Sequence, residues 1–489
     1  MINLRPYQSS IIEQVRAAYQ HGKRAPLVVL PTGGGKTTIF AYVTNQTASR
    51  QKCVFLLCHR AELVKQISMT LAKFGCHHKI IAPPPIINQC KAEHYKQIGK
   101  SMIDPVSRVY VASVQTLIKQ MDKIPDKPDL IVIDEAHHLT TQSTWGKVIA
   151  RYPAARLLPV TATPCRLDGK GLGVAHGGLA DDIVIGETMA NLIESGYLSP
   201  YRAFCPPNQL DLTSIKKTAG DYNKAELADA MDKPTITGDA VKHYRKLAGG
   251  KRAIVFCVSV DHAEHVAATF NESGIPAASL DGTMSPELRD STIKRFERGE
   301  ILVLTSCDVV SEGFDLPAIE VAILLRPTQS LSLYLQQVGR ALRVFAGKKE
   351  AIILDHVGAI ARHGLPDTEH DWSLEGKKKG KRKASDDEPA VSINTCLDCY
   401  AIFSKLVKIC PCCGWKLPEP VGRQIEYEDG ELVEIDANAI KAQRKEENRK
   451  AKTLPELIAL GHSRGYKSPE AWARKQVEIR ESYRAKYRN

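Results

Sequence analysis

The chain has 489 residues, 43% of them apolar and 25% charged, an ordinary composition for a soluble globular protein with two or three domains. No run of eighteen apolar residues occurs and the first residues lack an apolar core, so we expect neither a membrane span nor a signal peptide. The net charge of +12 suggests a polyanionic partner such as nucleic acid, although charge alone does not exclude a merely basic protein.

Short apolar runs alternate with helical patterns along two stretches of the chain. They predict strands at 27–30, 53–58, 108–112, 130–134 and 156–160, and then at 253–258, 301–305, 321–325 and 351–355. Continuous apolar strands separated by helices indicate parallel sheets that are covered on both faces. The predicted fold class is therefore α/β, with two tandem parallel-sheet domains at 1–200 and 201–365.

A glycine-rich turn follows the first strand in "VVLPTGGGKTT", residues 28–38. Backbone N–H groups in such a turn converge on a phosphate, helped by the positive end of the following helix. Lys36 is predicted to reach the β- and γ-phosphates of a nucleotide, and Thr37 to hold Mg²⁺. The other predicted ligands are Thr32, Gly33, Gly34, Gly35 and Thr38. Leu30 replaces the first glycine of the general pattern, and a plain strand-to-helix turn is the alternative.

Two adjacent acids end the strand at 130–134, in the stretch "LIVIDEAHH". Charged side chains at the end of a buried strand are costly unless they serve a ligand. Asp134 is predicted to share the Mg²⁺, and Glu135 to polarise the water that attacks the γ-phosphate. A solvated strand end is the alternative, and the glycine-rich turn upstream disfavours it.

Taken in order, these and four further motifs resemble those of superfamily 2 helicases of the DEAD/DEAH-box class, over residues 1–365. They are "LRPYQ" (4–8, Q-like motif), "PTGGGKT" (31–37, motif I), "DEAH" (134–137, motif II), "TATP" (161–164, motif III), "LTSCDVVSEGFDLP" (304–317, motif V) and "QQVGRALR" (336–343, motif VI). The resemblance implies two RecA-like domains and an ATP- and Mg²⁺-dependent helicase.

The same resemblance implies roles for further residues. In the first domain, Gln8 would read the adenine with Tyr7 stacking on it, and hydrolysis would be coupled to strand movement by His137, Thr161 and Thr163. From the second domain the nucleotide would be faced by Gln336, Arg340 and Arg343, and by Gly313 and Asp315 of motif V. A phosphoryl-transfer transition state spreads charge over the γ-phosphate, so arginines from a second domain complete the site only when the domains close. Leu342 stands where motif VI often has glycine.

A strand-binding face is expected from two further stretches, "LCHRAELVKQ" (57–66, similar to motif Ia) and "VASVQTL" (111–117, similar to motif Ib). Such grooves track phosphates more than base edges, so the candidate contacts are His59, Arg60, Gln66 and Gln115. Each is otherwise an ordinary exposed polar residue. The first stretch, with "TATPCRLDGKGLG" and "MANLIESGYLSP", resembles the UvsW/XPB-like, phage-type branch. That implies duplex, forked or branched DNA as the partner, although the motif spacing does not separate DNA from RNA.

Five of thirteen cysteines fall in "CLDCYAIFSKLVKICPCCGW", residues 396–415. The spacing predicts a structural Zn²⁺ held by the four thiolates Cys396, Cys399, Cys410 and Cys413, with no open position for catalysis. A disulfide is the alternative, which a cytosolic chain disfavours. The predicted zinc ribbon spans 393–418, and the eight other cysteines are expected to be reduced core residues in a cytoplasmic protein of a bacterial or phage-infected cell.

Two polar segments flank the ribbon. Residues 366–392 are predicted to be a charged linker, and 419–489 a basic, mostly helical tail. The tail aromatics either bind DNA or pack on the body: Tyr466, Trp472, Tyr483 and Tyr487. The tail and ribbon are also candidate docking sites for replication or repair proteins.

Three functions remain open on this sequence. The leading one is an ATP-dependent DNA helicase. The second is a motor that moves on duplex DNA within a restriction or remodelling complex, since the chain has no recognisable nuclease motif. The third is a DNA-binding protein that nucleotide switches on and off.

Overall fold

The structure is a computed structural model. It describes residues 4–166, 170–205, 217–218, 221–223, 226–227, 231, 234–282, 284–307, 319–375, 393–395, 402–404, 416, 433–435, 446–464, 466 and 468–486. The predicted zinc ligands Cys396, Cys399, Cys410 and Cys413, together with Gly313 and Asp315 of motif V, lie outside these residues. Five of the eight cysteines within them are buried, as expected of core residues.

The first lobe is built on a sheet of seven parallel strands. They are β1 (Pro26–Val29), β2 (Val54–Cys58), β3 (Lys79–Ile81), β4 (Val109–Ser113), β5 (Leu130–Ile133), β6 (Arg156–Thr161) and β7 (Asp182–Ile185), in the order β3-β4-β2-β5-β6-β1-β7. Its helices are α1 (Pro6–Gln20), α2 (Lys36–Ala48), α3 (Ala61–Lys73), α4 (Pro84–Ile98), α5 (Val114–Gln120), α6 (Thr144–Ala150) and α7 (Met189–Glu194).

Eleven further strands follow in the described residues, and seven of them form a second large sheet. They are β8 (Tyr201–Cys205), β9 (Lys217–Thr218), β10 (Asp221–Tyr222), β11 (Ala253–Phe256), β12 (Ala277–Leu280), β13 (Val303–Ser306), β14 (Val321–Leu324), β15 (Ala351–Asp355), β16 (Ile393–Thr395), β17 (Ile402–Ser404) and β18 (Val433–Ile435). The second sheet has the order β12-β13-β11-β14-β15-β8-β18, parallel except for the antiparallel edge strand β18, and it forms the core of the second lobe.

The later helices surround this second sheet or belong to the C-terminal segment. They are α8 (Pro234–Ala248), α9 (Val260–Glu272), α10 (Pro286–Glu297), α11 (Leu331–Ala341), α12 (Ala359–His363), α13 (Leu454–Ser463) and α14 (Pro469–Lys486). Two parallel-sheet α/β lobes confirm the predicted fold class.

Alternation along the strands places apolar side chains on both faces of each sheet. In β1, Val28 packs into one core cluster while Leu27 and Val29 pack into another on the opposite face. In β11, Ile254 and Val255 divide in the same way between two clusters. The cluster that contains Val28 also contains Ile254, so one apolar core joins the two lobes.

The C-terminal segment differs in part from the predicted helical tail. Its helices α13 and α14 form as expected, but β18 pairs with β8 and extends the second sheet. Two of the tail aromatics pack together: the ring centroids of Tyr466 and Trp472 lie 5.0 Å apart, with the Arg464 guanidinium over the indole. Within the part of the chain that the structure describes, no helix is long and apolar enough to cross a membrane.

Candidate active site

Sheet order brings three of the predicted motifs to one edge of the first lobe. Strand β6 lies between β1 and β5, and all three are parallel, so their carboxyl ends meet. Lys36 follows β1, Asp134 follows β5 and Thr161 ends β6. Ligands in open parallel sheets bind at this kind of edge.

The glycine-rich turn leads into α2 as predicted. Gly35 is the residue before the helix and has φ 84° and ψ 33°, a conformation that glycine adopts without strain. A β-carbon there would also collide with the Gln8 amide nitrogen. Lys36 begins the helix, and its Nζ donates hydrogen bonds to the carbonyl oxygens of Leu30 (3.2 Å) and Pro31 (3.5 Å). The turn therefore holds an ammonium group at the N-terminus of α2, where an anion is favoured.

Tyr7 and Gln8 both contact this turn. The Tyr7 hydroxyl donates to the Gly34 carbonyl at 2.7 Å, and Gln8 Nε2 approaches the same oxygen at 3.5 Å. The Tyr7 ring is buried and lies 5.4 Å from that of Tyr197, which has the Arg5 guanidinium 4.4 Å above it. Tyr7 thus supports the turn, and Tyr197 with Arg5 forms a cation–π pair that the sequence patterns did not indicate.

The carboxylates of Asp134 and Glu135 interact electrostatically with the Lys36 ammonium group. Burial, and then the charge of Glu135, raise the pKa of Asp134 to about 7, while Lys36 opposes the rise. Burial also lowers the pKa of Lys36, against the two carboxylates. Oxygen donors of this kind, with the Thr37 hydroxyl, suit Mg²⁺. Glu135 itself has φ 52° and ψ 51°, a left-handed conformation that costs a non-glycine residue about 1 kcal/mol or more.

A chain of polar contacts leads from Glu135 into the second lobe. His137 Nδ1 lies 3.3 Å from Glu135 Oε2 and 3.3 Å from Thr161 Oγ1. Thr161 Oγ1 donates to the Thr163 carbonyl at 3.0 Å, and Thr163 Oγ1 donates to Ser332 Oγ at 2.6 Å. Ser332 lies in the first turn of α11 and was not indicated by any sequence motif.

Helix α11 presents its motif VI face to the glycine-rich turn. Gln336, Gly339 and Arg340 share one face of the helix, because Gly339 and Arg340 follow Gln336 by three and four residues, and Arg343 lies two residues beyond the helix end. A β-carbon on Gly339 would come within 2.7 Å of Thr32 Cβ, and one on Gly33 within 3.7 Å of Arg343 Cγ. Gln336 and Arg340 are each 5% exposed, and the charges of both arginines reach Lys36.

Comparisons with known proteins agree with this arrangement. Residues 1–166 match the family described as "Type III restriction enzyme, res subunit", and residues 237–345 match "Helicase conserved C-terminal domain". A 51.5 kDa protein of a Lactococcus phage is 33% identical over 392 residues, which are 79% of this chain and 77% of the relative. The chain belongs to the superfamily 2 helicases. It is therefore an ATP-hydrolysing helicase or translocase that binds nucleic acid, which confirms the predicted enzyme class.

Two more similarities extend the comparison of this helicase. The ATP-dependent helicase IRC3 of Saccharomyces cerevisiae is 31% identical over 73% of this chain, which spans only 52% of that relative. A fragment of the HsdR subunit of a type I restriction enzyme from Vibrio vulnificus has a TM-score of 0.55 and 21% identity, over 74% of this chain and 66% of the fragment. The second similarity shows the fold alone.

The predicted strand-binding residues of the helicase follow neighbouring strands. His59 and Arg60 come after β2, and Gln115 comes after its partner β4. Gln115 is exposed and accepts a hydrogen bond from Ser113 Oγ, whereas Gln66 is half-buried on α3. The His59 ring packs edge-on against His138 at 5.3 Å and Trp145 at 6.3 Å. His59 thus contacts the motif II loop, and Gln115 is the most accessible of the four.

Proposed function

We propose that this helicase is a DNA motor that couples Mg-ATP hydrolysis to movement along a strand, and so unwinds or remodels branched DNA. The observation that carries the proposal is the approach of Arg343 to the glycine-rich turn, where the charges of Arg340, Arg343 and the two motif II acids all act on Lys36. A nucleotide between the lobes would meet an ammonium and two carboxylates on one side and two guanidinium groups on the other. Such preorganised charges stabilise a phosphoryl-transfer transition state.

Each residue then has a defined part. Lys36 and the turn residues Thr32 to Thr38 bind the phosphates, Glu135 orients and deprotonates the attacking water, and Gln8 contacts the base beside Tyr7. Thr37 and Asp134 would hold Mg²⁺, which neutralises phosphate charge when bound. Gln336, Arg340 and Arg343 complete the site from the second lobe. Glu135 is linked to that lobe through His137, Thr161 and Thr163. Loss of the γ-phosphate would therefore change the contacts between the two lobes.

The test is the ATPase rate of the wild type, Lys36→Ala and Glu135→Gln, measured without nucleic acid and with single-stranded DNA, duplex DNA, forked DNA or RNA. We expect DNA to stimulate the wild type and both variants to lose the stimulated rate. Glu135→Gln should still bind nucleotide, because the substitution keeps the shape of the site. Full turnover in either variant would refute the assignment, and stimulation by RNA alone would refute the choice of DNA.

A duplex DNA translocase is the second candidate, and the match of residues 1–166 to a restriction-enzyme subunit family favours it. Strand displacement and triplex displacement assays on one preparation separate the two candidates. A helicase displaces strands in both, whereas a translocase that does not separate strands responds in the triplex assay alone. Slow turnover that DNA does not change would instead indicate a nucleotide-switched binding protein. Among the helicases we propose the phage-type, UvsW/XPB-like branch, and the similarity to a Lactococcus phage protein supports only the phage-type part of this assignment.

We further propose that Cys396, Cys399, Cys410 and Cys413 hold a structural Zn²⁺. Supporting this, β16 and β17 pair as an antiparallel hairpin, and the first Cys-x₂-Cys lies between them in sequence. The zinc content of purified protein should be close to one equivalent and should fall in Cys399→Ser and Cys413→Ser. Cys412→Ser is the matched control, because the spacing leaves this cysteine outside the ligand set. Equal zinc in all the variants would exclude the site. Docking of replication or repair proteins on the ribbon and tail belongs to the same proposal.

A further inference from the structure

A lysine side chain donates hydrogen bonds to the carbonyl groups at the C-terminal end of α11. A helix leaves its last carbonyl groups without partners inside the helix, and Arg343 lies just beyond the last residue, Ala341. Lys348 Nζ donates to the carbonyl oxygens of Ala341 and Arg343, the latter at 2.8 Å, and to that of Ile319 at 3.0 Å. One ammonium group therefore ties the end of α11 to the segment that precedes β14.

The chain between the lobes also forms hydrogen bonds with this backbone. Ser199 N donates to the Leu342 carbonyl at 2.8 Å, and Ser199 Oγ donates to the Arg343 carbonyl at 3.3 Å. Leu198 forms an antiparallel bridge with Arg343 and lies against Gly33 of the glycine-rich turn. Lys348 and Ser199 thus both donate to the Arg343 carbonyl oxygen, and Leu198 brings this backbone next to the glycine-rich turn.

We propose that Lys348 is a positioning residue for Arg343, which keeps the arginine directed at the glycine-rich turn by fixing the backbone on either side of it. This inference rests on the proposed role of Arg343 in hydrolysis. An arginine beyond a helix end has several rotamers and no helical hydrogen bonds to fix its backbone, and a displacement of about 1 Å at a catalytic group costs on the order of a hundredfold in rate. Lysine suits the task because its three N–H groups match three carbonyl oxygens.

The hydrogen bonds that Lys348 donates depend on pH, because they need a protonated amine. Burial lowers the pKa of Lys348 to about 8; Glu320 opposes this shift, and Lys251 adds to it. A further charge nearby is that of Arg252, whose guanidinium lies 5.6 Å from the Phe345 ring that Lys348 also contacts. As the pH rises through 8 the ammonium loses a proton and can no longer donate to all three carbonyls. In alkaline solution the backbone around Arg343 should therefore be fixed by fewer hydrogen bonds.

The experiment compares Lys348→Met and Lys348→Arg with Lys349→Met, the exposed neighbour that serves as the matched control. We expect Lys348→Met to lower the kcat of DNA-stimulated hydrolysis at least tenfold with a KM for ATP within threefold, and Lys349→Met to stay within twofold. Lys348→Arg should restore part of the rate and move the alkaline fall to higher pH. For the wild type the rate should fall above pH 8, a measurement that needs no variant.

Arg343→Ala and the double variant Arg343→Ala with Lys348→Met separate this inference from the proposed function. If Lys348 acts through Arg343, the double variant is no slower than Arg343→Ala. A normal rate in Arg343→Ala would overturn the proposed function itself. A slow Arg343→Ala with a normal Lys348→Met, or additive losses in the double variant, would overturn the positioning role alone. A lowered melting temperature with an unchanged wild-type profile between pH 7 and 9.5 would show that Lys348 only stabilises the fold.

Discussion

Gly339 lies in the last turn of α11, and glycine within a helix lowers its stability by about 0.5–1 kcal/mol relative to alanine. Its close approach to Thr32 explains this cost, because a β-carbon would come within 2.7 Å of Thr32 Cβ. We predict that Gly339→Ala moves α11 away from the glycine-rich turn and lowers DNA-stimulated kcat at least tenfold. The unfolding temperature should stay within a few degrees of the wild type, since the gain in helix propensity offsets the lost packing.

Calorimetry and ATPase kinetics on the same preparation decide this prediction. A stable variant with a normal rate would show that close packing of α11 on the turn is unnecessary for hydrolysis. A variant that unfolds many degrees earlier would instead assign Gly339 to stability.

Residues of the site divide by how far along the chain their partners lie. Lys36 and Asp134 each follow a buried strand within a short local pattern, so sequence alone indicates their chemistry. Ser332 and Lys348 have no such pattern. Ser332 bonds to Thr163 across 169 positions, and Lys348 acts on carbonyl groups, which every residue possesses. Contacts of that kind depend on how elements pack, and a local pattern does not contain them.

At the scale of elements, the central strands of both sheets were predictable and the outer ones were not. β1, β2, β5 and β11 are fully buried and read as continuous apolar runs. The missed strands of the two sheets are the four edge strands β3, β7, β12 and β18, together with β8 beside β18. In β3, β7, β8 and β12 burial is incomplete. Their pairing comes from neighbouring strands more than from their own composition.

One buried network ties α3, α4 and the start of β3 together. Ser68 Oγ lies 2.7 Å from His78 Nε2 and 3.1 Å from His94 Nε2. His78 Nδ1 donates to the Cys76 carbonyl, and His94 Nδ1 accepts from the Met102 amide, which fixes both rings as neutral tautomers. Ser68 then donates to His78 and accepts from His94. A proton added to either ring breaks one of these bonds.

Acid should therefore destabilise the first lobe. Burial lowers the pKa of His78 to about 4, and it lowers that of His94 as well. Between pH 6.5 and 4 the unfolded chain binds more protons at His78 than the folded chain, so stability rises with pH in this window and is lost on acidification. From pH 7 to pH 5, His78 alone should reduce the free energy of unfolding by about 2 kcal/mol.

Urea unfolding of the wild type, His78→Gln and His77→Gln across this pH range measures the effect. His77 is the exposed neighbour and serves as control. His78→Gln should be less stable at pH 7, because Ser68 loses its acceptor, and its stability should change less with pH. An acid response in His78→Gln as steep as in the wild type would contradict the assignment to this network.

The arrangement of the whole molecule depends on contacts between lobes that no single motif encodes. The two lobes share an apolar cluster, and a hydrogen bond from Thr163 to Ser332 also joins them. On the side of motif Ia, Arg289 of α10 forms an ion pair with Glu62 of α3 at 3.0 Å, and it also donates to the Asp281 carbonyl. Both side chains are about four-fifths buried, so salt screens this pair less than an exposed one.

We predict that the Glu62–Arg289 pair favours closed lobes when no nucleotide is bound. An ion pair of this exposure contributes about 1 kcal/mol, so removing it should raise the ratio of open to closed molecules roughly fivefold. Small-angle X-ray scattering should show a larger radius of gyration for Glu62→Gln and for Arg289→Met than for the wild type. The exchange Glu62→Arg with Arg289→Glu should return the radius toward the wild-type value, because it restores opposite charges across the seam. If the single variants scatter like the wild type, the apolar cluster and the Thr163–Ser332 bond suffice to hold the lobes together.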